Sequence, residues 1–253
     1  MMNEEDYVVQ GPIYKYTSTE AAVATVKNTT LKFTCPLEFN DPFDCNTSIL
    51  EFTRTPDAVA EYKQALEQAG LPLIRKMAML GEFYRPDRFQ EIYGSVAQSK
   101  ILRSKVTCFG KNYKSTLMWS HYADHHKGVC LEFNGSMEPE EILLRRVAMI
   151  ANVNYDRTET INYNLDKQAA TLYLFTRKWE EWRYEEEVRI IIVEEDPYHK
   201  FNKSFLTGVV FGCRTPQGDK QRVLEALAAS GYQVPLQQAM RAKFKLEFQP
   251  IML

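Results

Sequence analysis

Several features typical of membrane, secreted or zinc-binding proteins are missing from this chain of 253 residues. No apolar run approaches the ~20 residues that span a bilayer. The acidic beginning, MMNEEDYVV, lacks the basic and apolar regions of a signal peptide. The five cysteines are odd in number and form no Cys-x-x-Cys pair, which favours free buried thiols. We therefore expect a cytoplasmic protein with no membrane partner.

Excess charge and the common phosphate-binding loops are also missing. Lys plus Arg total 31 and Asp plus Glu total 33, which gives a net charge of −2. This balance argues against binding nucleic acid by bulk electrostatics, although a local basic groove stays possible. The sequence has no Gly-x-Gly-x-x-Gly and no Walker loop. Its hydrophobic content of 45% excludes a disordered chain.

The pattern of apolar residues predicts one α+β domain over 1–253, with a mixed or split sheet and a helical insertion over 55–103. Helices and strands alternate irregularly, which argues against regular βαβ units. In the insertion, Leu66, Leu73, Ile74 and Met77 belong to a predicted core stripe. Strands are predicted at 13–17, 31–34, 106–109, 128–133, 147–155, 188–193, 207–212 and 243–248. Helices are predicted at 17–28, 56–103, 115–122, 161–180 and from 215 to about 230.

The first segment with possible chemistry is FNDPFD at 39–44. Asn and Asp before Pro favour a turn, because the residue before proline is held extended. The segment is therefore either a structural turn pinned by Phe39 and Phe43 or a loop that presents carboxylates and an amide to a cleft.

The second segment is MWSHYADHH at 118–126, which contains three of the four histidines. On a helix, His121 and His125 would share one face at the spacing of a zinc pair. Tyr122 occupies the place where the zincin pattern needs Glu, and a third ligand is missing. A polar helix end explains the cluster equally well. Trp119 and Tyr122 suit either stacking on a planar ligand or core packing.

The third segment is WRYEEEVR at 182–189, which leads into an apolar strand. In a strand, Glu185, Glu187 and Arg189 would lie on one face. Burying them is costly unless they are paired. They form either a solvated ion pair or a carboxylate that holds a sugar hydroxyl and stabilises oxocarbenium character as a glycosidic bond breaks.

Taken together, Tyr14-Lys15-Tyr16, FNDPFD, LMWSHYADHHKG and WRYEEEVR resemble the bacterial domain-of-unknown-function family 2971 over residues 12 to 248. The layout of that family looks like the ADP-ribosyltransferase superfamily, in which a split sheet grips NAD. The resemblance implies that Glu187 is catalytic and that Glu185 is its partner. Lys15 lies where the superfamily often has Arg or His. The residues assigned to NAD binding are Tyr14, Tyr16, Asn40, Asp41, Trp119, Ser120, Tyr122 and Arg189.

The resemblance implies an NAD-dependent ADP-ribosyltransferase-like enzyme, plausibly a toxin or phage-defence effector, with NAD as substrate and a protein, a nucleic acid or water as acceptor. Tyr122 or Trp119 would stack on nicotinamide or on the target. Two alternatives stay open. One is a non-catalytic module that senses a nucleotide or a protein. The other is a metal-dependent nuclease built from Asp41, Asp44, His121 and His125.

Overall fold

Residues 9–143, 149–156 and 159–252 are described by a computed structural model. These ranges contain twelve strands and eight α-helices. The strands are β1 (Pro12–Thr17), β2 (Thr30–Lys32), β3 (Leu50–Glu51), β4 (Ser104–Gly110), β5 (Val129–Asn134), β6 (Met149–Asn152), β7 (Ile161–Asn162), β8 (Glu187–Val193), β9 (Tyr198–Lys200), β10 (Leu206–Phe211), β11 (Leu236–Ala242) and β12 (Lys245–Pro250). The helices are α1 (Thr19–Asn28), α2 (Pro56–Gln68), α3 (Leu73–Phe83), α4 (Pro86–Arg103), α5 (Thr116–Tyr122), α6 (Pro139–Ile142), α7 (Lys167–Thr176) and α8 (Gln217–Ala229).

The main sheet has eight strands in the order β12-β11-β10-β5-β1-β4-β8-β6. It is mixed, because β10 and β11 run parallel while the other neighbours run antiparallel. Two short sheets, β2-β9 and β3-β7, are separate from it, although Thr34, just after β2, forms a bridge to Val106 of β4. This arrangement confirms the predicted α+β fold with a mixed sheet.

The sheet has a weak seam at its centre, between β1 and β4. The pairing of β1 with β5 extends along the whole of β1, and that of β4 with β8 along the whole of β4. In contrast, β1 and β4 are in register at one place, where Tyr14 lies opposite Gly110. Lys15 extends into the gap, and its Nζ donates to Thr107 Oγ1 at 2.9 Å and to the Cys108 carbonyl at 3.0 Å. A side chain thus replaces part of the missing backbone ladder.

Apolar cores cover both faces of the sheet. On β8, Ile190 belongs to a core shared with α1 and α8, whereas Ile191 belongs to a core shared with α2, α4 and α7. Both faces of β8 are therefore buried, as its run of β-branched residues allows. A third cluster packs α5 against β1, β5 and β10, and Trp119 lies in it completely buried.

Several boundaries differ from the sequence predictions. Helix α1 begins after Ser18, whose side chain caps it by accepting from the Ala21 N–H. The helix predicted over 161–180 is confined to α7, because 161–162 pair with β3 instead. Strand β11 was not predicted. The strand predicted over 147–155 is described from 149, and its first two residues lie outside the described ranges.

The prediction that the apolar stripe on α3 belongs to the core is wrong. Leu73, Ile74 and Met77 of α3 are exposed, with 70%, 84% and 65% of their surface accessible. Leu66 of α2 and Phe83 at the end of α3 are buried as core residues. Within the described residues, no helix combines the length and apolar character needed to cross a membrane.

Candidate functional site

A cavity of about 390 Å³ lies along the seam between β1 and β4. Successive side chains of a strand point to opposite faces of a sheet. The cavity nevertheless touches consecutive residues of both strands, so it opens through the gap between them. Its walls are Tyr14, Lys15, Tyr16, Lys32, Thr34, Glu38, Phe39, Asn40, Asp44, Val106, Thr107, Cys108, Phe109, Gly110, Met118, His121, Tyr122, Lys178, Glu185 and Glu187.

Behind one wall, Arg189 anchors a buried charged network. Its side chain is completely inaccessible, and its guanidinium holds both oxygens of Asp44 at 2.9 and 2.5 Å. It also donates to both oxygens of Glu187, at 2.8 and 3.1 Å, and to the Phe175 carbonyl at 2.9 Å. Such bidentate contacts are the strongest kind of carboxylate recognition. They fix Glu187 in one orientation.

Lys178 extends the network toward the cavity. Its Nζ donates to Glu187 Oε2 at 3.1 Å and to Glu185 Oε2 at 2.5 Å. Asp44 Oδ2 lies 3.7 Å from the same ammonium. Lys178 is 5% exposed, and its Nζ lies over the Trp182 ring, 4.8 Å from the centroid. One buried ammonium therefore holds two carboxylates side by side.

Glu185 ends the network at the cavity wall. The Tyr122 hydroxyl donates to Glu185 Oε1 at 2.6 Å and accepts from Asn40 Nδ2 at 3.2 Å. Glu185 is the last residue of a 3₁₀ turn, Glu180–Glu185, and Glu186 adopts a left-handed conformation with φ 45°. The strand begins only at Glu187. The prediction that Glu185 shares a strand face with Glu187 and Arg189 is therefore wrong for Glu185, although Lys178 brings the two carboxylates together.

The two glutamates differ in acidity. Burial raises the pKa of Glu187, but the positive charges of Arg189 and Lys178 outweigh burial and lower this pKa to about 2. Burial also raises the pKa of Glu185, Lys178 opposes that effect, and the negative Glu187 reinforces it, so the pKa of Glu185 is raised. Burial likewise raises the pKa of Tyr122. Lys178 is desolvated, yet its carboxylate neighbours raise its pKa above the ordinary value.

The structure brings six of the ten predicted site residues to the cavity and leaves four away from it. Arg189 lies behind Glu187, and Ser120 is not part of the wall. Asp41 is buried in its own turn, where Oδ1 accepts from the Phe43 N–H at 2.9 Å. Trp119 is wrong as a stacking residue, because its ring is buried and its Nε1 donates to the Tyr113 carbonyl at 2.7 Å. The six at the cavity are Glu187, Glu185, Tyr14, Tyr16, Asn40 and Tyr122.

The FNDPFD turn separates this cavity from a second one of about 640 Å³. Asn40 and Lys178 border both cavities, while Asp41, Phe43 and Trp179 border only the second. Phe43 is 78% exposed, so the turn is not pinned through that ring as predicted.

The ligand set suggested for a metal does not assemble. His121 lies in the last turn of α5 and borders the first cavity, but His125 follows the helix in a left-handed turn with φ 52°, so the two do not share a helix face. Asp44 is already bound by Arg189. In the described part of the chain, no group of three or more His, Cys, Asp or Glu side chains is arranged to hold a metal ion.

Sequence reasoning missed Lys178 and the link between Asp44 and Arg189. Lys178 follows helix α7 in a stretch, RKWEEW, that reads as an exposed charged loop. The useful signal was the position of Lys178 between a buried helix and a row of carboxylates. Without the fold, this position does not show which carboxylate Lys178 contacts. Asp44 was considered as a metal ligand, but its partner is 145 residues away along the chain.

Comparisons with known proteins give one match. Neither the curated proteins nor the solved structures contain a match to this chain. Residues 118–190 match a family described as "Protein of unknown function (DUF2971)". The match includes Tyr122, Lys178, Glu185 and Glu187 of the cavity wall, and it excludes β1 and the FNDPFD turn. This segment spans both the α5 motif and the WRYEEEVR motif, so the resemblance to the DUF2971 family that those motifs predicted is confirmed over these residues.

Proposed function

We propose that this protein is an enzyme that cleaves the nicotinamide glycosidic bond of NAD and passes ADP-ribose to a protein, a nucleic acid or water. The observation that supports it best is the pair Glu185 and Glu187, which share one ammonium at the wall of an aromatic-lined cavity and have pKa values shifted in opposite directions. Carboxylates with separated pKa values are typical of sites that combine charge stabilisation with proton handling. A cytoplasmic role as a toxin or phage-defence effector fits such chemistry.

The network suggests a role for each carboxylate. Three carboxylates, from Asp44, Glu185 and Glu187, face two cations, from Lys178 and Arg189. When all are ionised, one negative charge is left over. Glu187 is locked by Arg189, so the surplus is felt at Glu185, on the cavity side. A fixed negative charge there stabilises the positive charge that develops on the ribose as nicotinamide leaves.

The remaining walls suit a dinucleotide. Tyr14, Tyr16 and Tyr122 offer ring surface or hydroxyl groups to planar rings and ribose, while Lys32 supplies positive charge for phosphate groups. The volume of about 390 Å³ falls in the range of small-molecule sites and fits the reacting half of NAD. In this arrangement Tyr122 would hold a ribose hydroxyl together with Glu185.

Nicotinamide release from NAD tests the proposal directly. We would compare the wild-type protein with Glu185→Gln and Glu187→Gln. Glu186→Gln is the matched control, because Glu186 lies between the two and is exposed. We expect release by the wild type and the control, and a fall of roughly 100-fold or more in Glu185→Gln, as for loss of a catalytic acid or base. Equal release by Glu185→Gln and the wild type would contradict the assigned role.

A non-catalytic nucleotide sensor is the second candidate. It is favoured by one observation: each of the four carboxylate oxygens of Glu185 and Glu187 already has a hydrogen-bond partner within the protein. A fully satisfied wall is suited to binding without turnover. This alternative predicts that NAD raises the melting temperature, that no nicotinamide appears with or without cell lysate as a source of acceptor, and that Glu185→Gln still binds.

A further inference from the structure

Lys15 and Lys178 both line the cavity, but their side-chain amines have different contacts. Lys178 is held by carboxylates, whereas Lys15 makes no ion pair with any described residue. Its two acceptors are the Thr107 hydroxyl and the Cys108 carbonyl, both on β4. The Phe109 ring lies 5.2 Å from Nζ. The amine therefore lies at the cavity wall in a polar niche, with no carboxylate of the described residues within ion-pair distance.

The hydrogen-bonding pattern suits a neutral amine. A neutral amine has two N–H donors and one lone pair, and Lys15 has two acceptors within 3.0 Å. An ammonium has a third donor, and among the described residues the amine has two acceptors. Burial lowers the pKa of Lys15, and the nearby Cys108 and Glu187 only partly oppose this effect. The cation–π contact with Phe109 is weaker than the cost of burying an unpaired charge.

From this placement we propose that Lys15 is the nucleophile of the reaction and forms a covalent bond to C1′ of the ribose. This inference rests on the proposed cleavage of NAD. Lysines that are desolvated and lack a carboxylate partner are suited to nucleophilic catalysis. Glu185 and Glu187 line the same cavity, so the attacked carbon and the stabilising charge would lie in one space.

The step balances without any further reagent. The lone pair of Nζ forms a bond to C1′ as the C1′–N bond to nicotinamide breaks, and that electron pair neutralises the pyridinium ring. The new ammonium loses one proton to Glu185. Glu185 returns this proton to O4′ as the ribose ring opens, which gives a protonated imine between Lys15 and C1′. Water or the acceptor then forms a bond to C1′ and its proton passes to Nζ. The C1′–Nζ bond breaks as O4′ closes the ring again and loses its proton, so that the neutral amine of Lys15 is released.

Reductive trapping tests the covalent bond. The whole protein would be incubated with NAD and sodium cyanoborohydride, digested, and mapped by mass spectrometry. We expect an ADP-ribosyl mass on the peptide that contains Lys15 and none on Lys178. Lys15→Arg, which keeps hydrogen-bond donors toward Thr107 but has no nucleophilic amine, should lose the adduct and at least 90% of nicotinamide release. Its urea unfolding midpoint would be measured beside the wild type, so that loss of fold is recognised.

Two results would overturn the inference while leaving the proposed function standing. One is nicotinamide release at the wild-type rate with no adduct on Lys15. The other is a folded Lys15→Arg variant that retains release within twofold.

If the wild type releases no nicotinamide, the proposed function fails, and a second measurement still decides whether Lys15 is a nucleophilic amine. Reductive methylation with formaldehyde is run at pH 7 and at pH 10. The ratio of labelling at the two pH values cancels differences in access. If the ratio of labelling at pH 7 to labelling at pH 10 is higher for Lys15 than for the surface residue Lys27, the inference that Lys15 is a nucleophilic amine is supported. Equal ratios for the two lysines would overturn that inference.

Discussion

The charged network has two ends that do different work. At the Arg189 end, Asp44 and Glu187 are bound by a guanidinium with no accessible surface, and the pKa of Glu187 is low. At the Tyr122 end, Glu185 meets the cavity through a phenol and an amide, and its pKa is raised. Lys178 joins them. The difference teaches that similar carboxylates two residues apart can differ in both hydrogen-bond partners and acidity, depending on which cations are close.

The largest effect should come from removing the anchor. Arg189→Met leaves Asp44 and Glu187 buried next to a single remaining cation, Lys178. Breaking a buried pair by removing one partner costs about 3–5 kcal/mol. We expect the free energy of unfolding to fall by that amount, measured by urea denaturation. Arg222→Met, which removes exposed ion pairs, serves as the control and should change stability by less than about 1 kcal/mol. Similar losses in both variants would contradict the anchor.

The acid side of the stability profile should depend on Glu187. Its pKa falls from the ordinary 4.5 to about 2 in the folded protein. The stabilisation is therefore fully present above about pH 4.5 and is lost as pH falls toward 2. A shift of this size corresponds to about 3 kcal/mol. Unfolding midpoints would be measured between pH 5 and pH 2. In Glu187→Gln they should fall less steeply with decreasing pH than in the wild type. An unchanged slope would show that the cations do not favour the charged form.

Glu185 should affect the profile with the opposite sign and to a smaller extent. Because its pKa is raised in the folded protein, the stabilisation is present below the ordinary value of 4.5 and is lost as pH rises through the folded-state value. Glu185→Gln removes this loss, so the variant should gain stability relative to the wild type on going from pH 4 to pH 8. Unfolding midpoints over that range measure the difference. If Glu187→Gln also gained stability relative to the wild type from pH 4 to pH 8, the predicted difference between Glu185 and Glu187 would be wrong.

The smallest effect should follow from Tyr122→Phe. The change deletes one hydroxyl that donates to Glu185 and accepts from Asn40. A single hydrogen bond of this kind contributes about 1 kcal/mol, so NAD affinity measured by calorimetry should fall roughly fivefold. The contacts of Arg189 with Asp44 and Glu187 should be unaffected, because the Tyr122 hydroxyl does not take part in them. Tyr84→Phe, at an exposed residue just after α3, is the control and should leave affinity unchanged.

The strands of this fold that flank the site could be predicted because their own residues are apolar and alternating or β-branched, as in β1, β5 and β8. Strand β11 could not, since LQQAMRA has no strand pattern and is ordered by its neighbours β10 and β12. The apolar residues of α3 misled for the opposite reason. They have helical spacing, but no other part of the described chain covers Leu73, Ile74 or Met77.

The site could be predicted in part for similar reasons. Glu185 and Glu187 stood out as an acidic pair before a buried strand, and both line the cavity. That Glu185 is not on the strand depends on the left-handed Glu186, which no local signal gives. The central role of Lys178 depends on contacts seven and nine residues away that form only after a helix, a loop and a strand have packed.

The seam between β1 and β4 is the line along which the cavity can widen with the smallest loss of backbone pairing. On either side of it the backbone ladder is continuous and stiff, but across it the two half-sheets are joined at Tyr14 and Gly110 and by the flexible stem of Lys15. Small changes in the spacing of the halves therefore require rotation about side-chain bonds and leave both ladders intact. A molecule that fills the seam would act as a wedge with contacts on both half-sheets, and binding would stiffen the whole sheet at its most compliant line.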